Sequence, residues 1–217
     1  MQKVLITGFE PFGKYPENSS WATAQHVVAQ GIMGVELFLK RMPVSFHRVA
    51  AELRAAVDEV HPDLIIMLGQ AALSDKVRLE RIAINLMDSK KSDNDGCVPD
   101  EEPIYPGESG ALFTNVPIKK LCEEVEELGM PVVVSNTCGL YVCNRLYYEA
   151  LRLCKSTTRM KALFVHVPLY KGQTGVSENV GMELQEMVRA VRQVIEFELQ
   201  EFKKSEDGII KSIIQYQ

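Results

Sequence analysis

Asp63-Leu64-Ile65-Ile66-Met67-Leu68-Gly69 is apolar at every position from 64 to 68. A strand with one face in water alternates apolar and polar side chains. A strand apolar on both faces belongs to a sheet covered by helices on both sides. Upstream, residues 4–7 form a second short buried strand that ends at Gly8. A helix is expected after Asn18-Ser19-Ser20, whose side chains can cap it, then a strand over 35–41 and a helix over 46–60. Downstream, residues 77–86 alternate as one strand, and 117–128 read as a helix closed by Gly129. A strand at 131–135, a helix at 141–153 and a strand at 162–167 follow, the last stopped by Pro168. Leu184, Met187, Val188, Val191 and Ile195 make one helical stripe. Strands separated by helices predict a three-layer α/β/α sandwich with a largely parallel (mixed) twisted sheet.

Nothing in the chain resembles a linker or a repeat. Residues 1–217 are therefore expected to be a single domain, with about 203–217 as a C-terminal extension. Ile209, Ile210, Ile213 and Ile214 in that extension suit an oligomer contact or a tail packed on the domain. The stretch 88–110 is rich in Asp, Pro and Gly, and a loop of that length is usually functional.

Composition excludes several classes. The 217 residues are 46% hydrophobic and 24% charged, with a net charge of −5. An acidic excess argues against nucleic acid as a partner. No apolar run approaches the ~20 residues that cross a bilayer, and the N-terminal apolar run is too short for a secretory leader. Five cysteines (97, 122, 138, 143 and 154), odd in number and without C-x-x-C, fit free thiols in a reducing cytoplasm rather than disulfides or a zinc site. No metal or cofactor is expected.

In a parallel sheet, ligands sit beyond the carboxyl ends of strands. The loops after Thr7, Leu68, Ser135 and Val167 are therefore the places to search. Thr7-Gly8-Phe9-Glu10-Pro11-Phe12-Gly13 lacks the glycine spacing of a phosphate loop. Phe9 and Phe12 either wall a small planar ligand or plug the sheet edge. Gln70 offers both a donor and an acceptor to a ligand, or is a solvated cap. Alternation places Glu80 on the face of Ile82, Ile84 and Leu86, where a carboxylate must find a partner. The alternative is a frayed strand start paired with Arg78 or Arg81. In Ser135-Asn136-Thr137-Cys138-Gly139-Leu140-Tyr141-Val142-Cys143-Asn144, Cys143 falls in the first turn of a helix. Partial positive charge there favours thiolate and a developing oxyanion. Most free cysteines are instead small buried hydrophobes, and Cys138 competes locally for the nucleophile's role. His166 stands at a strand terminus, whereas His26, His47 and His61 fall in or at the end of helices. Cys143, His166 and Glu80 together supply a nucleophile, a base and an orienting acid.

Four stretches, in order and at matching spacing, resemble the pyroglutamyl peptidase (pyrrolidone-carboxylate peptidase) family of cysteine peptidases. They are residues 4–13, 79–85, 135–144 and His166-Val167-Pro168, and the resemblance spans residues 1 to about 200. It implies removal of N-terminal pyroglutamate (5-oxoproline) from peptides through a thioester, with Cys143 as nucleophile, His166 as base and then acid, and Glu80 orienting the imidazole. It implies a lactam slot lined by Phe9 and Phe12, with Gln70, Tyr141 and Val142 as further candidates, and a cytoplasmic homotetramer. Two departures stand out. Cys138 occupies a position where the family usually has alanine. Lys90 stands for the usual arginine of the loop at 87–96, which keeps the charge but loses the guanidinium fork. A non-catalytic pyroglutamate-binding relative and a phosphorylase-like enzyme on the same fold are the alternatives.

Overall fold

A computed structural model describes residues 1–157, 159–177 and 180–215, with residues 203 and 205–215 described by their backbone alone. In chain order the elements are β1 (Gln2–Phe9), α1 (Ser19–Gln30), β2 (Val35–Met42), α2 (Val49–Val60), β3 (Leu64–Gln70), β4 (Val77–Glu80), β5 (Ile82–Ile84), β6 (Ala111–Phe113), α3 (Ile118–Glu127), β7 (Val132–Ser135), α4 (Val142–Lys155), β8 (Lys161–Val167) and α5 (Leu184–Gln215). Six strands form one sheet in the order β2-β1-β3-β8-β4-β7, and β5 with β6 forms a separate ribbon. β2, β1, β3 and β8 are parallel to one another. β4 runs antiparallel to β8, and β7 runs parallel to β4.

The side chains of β3 create the layers. Leu64, Ile66 and Leu68 point into a core shared with α1, α3 and α5, while Ile65 and Met67 point into a second core shared with α2 and α4. All five have no exposed area. Each contributes roughly 1.5–3 kcal/mol of burial, and no polar residue at these positions would find a partner. β8 divides in the same way: Leu163, Val165 and Val167 join the first core, and Ala162 and Phe164 the second.

Local chemistry explains where elements start and stop. The Asn18 side chain accepts the Ser20 N–H at 3.0 Å and caps α1. The helix expected from 46 begins at Val49, and the Phe46 N–H ahead of it donates to the Asp93 carboxylate at 2.8 Å. The single strand expected over 77–86 is two strands in different sheets. The Arg81 N–H donates to the Ser135 carbonyl of β7 at 2.8 Å, but its own carbonyl accepts the Thr114 N–H beyond β6 at 3.0 Å. The chain changes partners at Arg81, so alternation cannot be carried through it. The face of Glu80 is set by β4 alone and not by Ile82, Ile84 and Leu86.

The 88–110 loop is tied down at several points. Met87 and Glu102 exchange backbone hydrogen bonds of 2.7 and 2.9 Å. Buried Asp93 also accepts the N–H groups of Asp95 and Cys97 at 2.9 and 2.8 Å. The Tyr105 hydroxyl donates to Glu149, a fully buried carboxylate that Arg54 and Arg152 also hold at 3.0 Å. The backbone of α5 continues to Gln215. The side chains of Ile209, Ile210, Ile213 and Ile214 lie outside the described residues. Among the described residues, no helix is long and apolar enough to cross a membrane.

Gly8 is required by close packing. A Cβ there would lie 2.8 Å from the Ser20 carbonyl oxygen and 2.8 Å from the Trp21 Cα, both backbone atoms of α1. Gly8→Ala should therefore lose about 1–3 kcal/mol, read as a Tm lowered by several degrees in calorimetry. An unchanged Tm would contradict this close approach of α1 to β1.

Candidate active site

The antiparallel ladder between β4 and β8 sets Arg78 opposite His166 and Glu80 opposite Phe164. Glu80 and His166 are thus diagonal neighbours on one face, within reach of long side chains. His166 Nδ1 lies 2.8 Å from Glu80 Oε1. Glu80 is fully buried and His166 nearly so. An ionised carboxylate only accepts, so Nδ1 carries the hydrogen and Nε2 is left with a lone pair. Arg78 Nε stands 3.7 Å from the same Glu80 oxygen, and its guanidinium donates to Ser135 Oγ at 2.7 Å and to the Thr137 carbonyl at 3.3 Å. Arg78 therefore braces both the acid and the segment that leads to Cys143.

The imidazole fits only because residue 69 is glycine. A Cβ on Gly69 would lie 2.9 Å from His166 Cδ2 and 2.7 Å from the Phe164 ring. The two rings pack with their centroids 4.8 Å apart.

Cys143 is the second residue of α4, after Tyr141 at the N-cap. Because β7 runs against β8, its carboxyl end does not share the edge formed by the ends of β1, β3 and β8. The loop after Ser135, expected at that edge, instead crosses back through 136–141. Gly139 turns it with φ of 77°. That crossing sets Tyr141, Val142 and Cys143 against Phe9, Phe12 and Gln70, and the six line one narrow cleft. Tyr141 is held on two sides: its ring meets Phe46 edge-on at 5.2 Å, and its hydroxyl donates to the Ser92 carbonyl at 2.9 Å.

Asn18 and Val44 complete the lining and were not anticipated as site residues. The sequence marks Asn18 only as a cap. Val44 follows the carboxyl end of β2, so the rule that pointed to the ends of β1 and β3 would have found it. Lys90, by contrast, is exposed on its loop and does not line the cleft. No side-chain signal separated it from the other loop cations. The Gln70 carboxamide has a fixed orientation. Its Oε1 accepts the Ser19 N–H and a Gln173 amide hydrogen, both at 2.9 Å, while its Nε2 is buried without a partner.

The two thiols of the 135–144 stretch differ. Cys138 is buried with its sulfur 3.5 Å from Asn144 Oδ1 and 3.8 Å from the Ile82 carbonyl, away from the cleft lining. Cys143 is part-exposed. Burial first, and the Glu80 charge second, push its thiol up from 9.0 to about 12, and its own backbone N–H opposes them. A helix N-terminus offers about 0.3–2 kcal/mol in the other direction. Burial and the Glu80 charge thus raise the thiol, and the helix N-terminus works against them. His26, His47 and His61 are exposed. Among the described residues, no three His, Cys, Asp or Glu side chains group as metal ligands.

A thiol in the first turn of a helix, close enough to feel a carboxylate that is itself bonded to an imidazole, is the equipment of a cysteine hydrolase on an α/β sandwich. Comparison with known proteins narrows that class. The model of the pyroglutamyl peptidase family matches residues 2–201, and the chain belongs to this family. It is 39% identical over 198 residues to a pyrrolidone-carboxylate peptidase of Thermococcus onnurineus, covering 91% of this chain and 98% of that protein. The fold superimposes on the pyrrolidone carboxyl peptidase of Thermococcus litoralis with a TM-score of 0.87 at 30% identity, over 94% of this chain and 96% of that one. It superimposes on the enzyme of Fervidobacterium islandicum AW-1 with a TM-score of 0.86 at 36% identity, over 93% and 99%.

A thiol raised by burial has a measurable signature. Alkylation of Cys143 by iodoacetamide, followed by mass spectrometry, should keep rising with pH through 8 and beyond, because the thiolate fraction grows tenfold per pH unit below the pKa. A rate that levels off near neutrality would mean a preformed thiolate.

Proposed function

We propose that this protein hydrolyses the bond after an N-terminal pyroglutamyl residue by acyl transfer through Cys143. The reading is supported by Cys143 lining the same cleft as Phe9, Phe12 and Gln70 while Glu80 holds His166 at 2.8 Å. His166 Nε2 takes the Sγ proton as sulfur attacks the pyroglutamyl carbonyl carbon. The Cys143 backbone N–H, at the start of α4, stabilises the oxyanion of the tetrahedral intermediate. The intermediate collapses with cleavage of the C–N bond, and His166 returns the proton to the departing amine. A water molecule, deprotonated by His166, then attacks the thioester, and 5-oxoproline leaves with the thiol restored. Glu80 orients the imidazole and stabilises its charged form.

The lactam ring is flat, small and uncharged, and apolar walls of Phe9, Phe12, Tyr141 and Val142 suit it. Gln70 Nε2 donates to the ring carbonyl. A prolyl residue has no such carbonyl and brings a charged amine. Leaving the buried donor unmet costs about 1–3 kcal/mol, which favours the lactam. Lys90 has no part in this slot. Family membership does not favour the phosphorylase-like or the non-catalytic reading. The five free thiols support a reducing, cytoplasmic setting. A homotetramer is carried by the family resemblance, and peptides rather than nucleic acid suit the net charge of −5.

Cys143→Ala should lower release of a chromophore from a pyroglutamyl amide by at least about 10³-fold with the Tm retained. Cys138→Ala should keep most of the activity, and the matching prolyl amide should not be turned over. Full activity in Cys143→Ala would remove the assignment, and loss confined to Cys138→Ala would move the nucleophile.

A further inference from the structure

A carboxamide can present either an acceptor or a donor to a ligand, depending on a half-turn about one bond. In the cleft that choice is made for Gln70 by its neighbours. The Ser19 N–H is a donor and nothing else, so the group facing it at 2.9 Å is the Gln70 oxygen. The second donor on that oxygen is Nε2 of Gln173, also at 2.9 Å. The orientation of Gln173 is fixed in turn by backbone groups. Its Nε2 donates to the Glu17 carbonyl at 3.2 Å, and its Oε1 accepts the Tyr170 N–H at 3.3 Å. Gln173 is 1% exposed although it belongs to the irregular segment after β8. That segment is clasped to the start of α1: the Glu17 carboxylate accepts the Tyr170 hydroxyl, the Thr174 hydroxyl at 2.9 Å and the Thr174 N–H at 3.3 Å. With both lone pairs of Gln70 Oε1 engaged, its Nε2 is left buried and unpartnered, on a residue that lines the cleft.

We infer that Gln173 is a positioning residue for lactam recognition, holding the Gln70 carboxamide so that Nε2 and not Oε1 faces the ring carbonyl of the substrate. This rests on the pyroglutamyl reading given above and adds a residue 103 positions away in sequence from the group it orients. Gln173 acts only through Gln70, at the end of the ring remote from the scissile bond. Its loss therefore weakens binding of ground state and transition state alike, which raises KM and leaves kcat.

The test uses the full chain with 2-pyrrolidinone as a competitive inhibitor and a pyroglutamyl amide as substrate. Gln173→Met removes the amide and keeps the length. It should raise both KM and the inhibition constant by ~5–10-fold, the loss of one neutral hydrogen bond's alignment, with kcat within about twofold. Gln173→Glu sets a carboxylate against Gln70 Oε1 and pushes the carboxamide out of its place, because the Ser19 N–H does not accept the reversed orientation. The rise should then be at least about tenfold, again without a matching loss of kcat. In a Gln70→Leu background either substitution should have no further effect on the inhibition constant, because the group it positions is gone. Additive effects in that background, or an inhibition constant unchanged in both single variants, would overturn the inference. If Gln173→Glu does not fold, Gln173→Met and its double variant decide the matter alone. A wild-type protein that neither turns over the amide nor binds 2-pyrrolidinone would sink the functional reading, and this inference with it. A working wild type whose Gln70→Leu variant binds poorly, beside an indifferent Gln173→Met, would sink this inference only.

Discussion

A carboxylate without exposed area has to be paired, and in this protein Glu80 is paired with His166. Much of the architecture around the site follows from that requirement. β4 must lie beside β8 and run against it so that residues 80 and 166 fall diagonally on one face. Residue 69 must be glycine so that the imidazole and the Phe164 ring have room. The chain must leave the sheet at Arg81, since continuing would extend β4 where β5 turns to pair with β6. Arg78 supports the acid from one side and the 135–137 segment from the other.

The layering was legible because β3 has no polar face to misread. Five buried apolar residues in a row require cover on both sides, and the helical stripes provided it. Direction was not legible. Nothing in Val77–Glu80 or Val132–Ser135 distinguishes a strand parallel to β8 from one antiparallel to it, since both put the same residues into the same cores. The break at Arg81 escaped for a similar reason: period-two alternation survives on either side of it, and only a hydrogen bond to Thr114, far along the chain, reveals the change of partner. β6, three residues long, is too short for a pattern.

The site divides along the same line. Cys143, His166 and Glu80 were conspicuous because each is a reactive side chain at an element boundary. Alternation through Ile82 and Ile84 does not account for Glu80, however, since β4 and β5 lie in different sheets. Helix-end charge at Cys143 was legible, while the larger opposing effect of burial was not, because burial is a property of neighbours. Asn18, Val44 and Gln173 stayed hidden for that reason too: their parts depend on contacts with distant segments. Phe9, Phe12, Gln70, Tyr141 and Val142 do meet in one cleft, and Lys90 does not join them.

The position of β8 bears on how the chain is made. It is the last strand in sequence, yet it lies between β3 and β4 in the middle of the sheet. Until residues 161–167 leave the ribosome, the earlier strands can only form two unjoined pieces, β2-β1-β3 and β4-β7, each with a bare edge. Such edges invite pairing with other chains. A pause in translation just before that point would therefore be hazardous to the nascent protein. The strand that closes the gap is also the one that carries His166, so buried Glu80 meets its partner only as the sheet is completed.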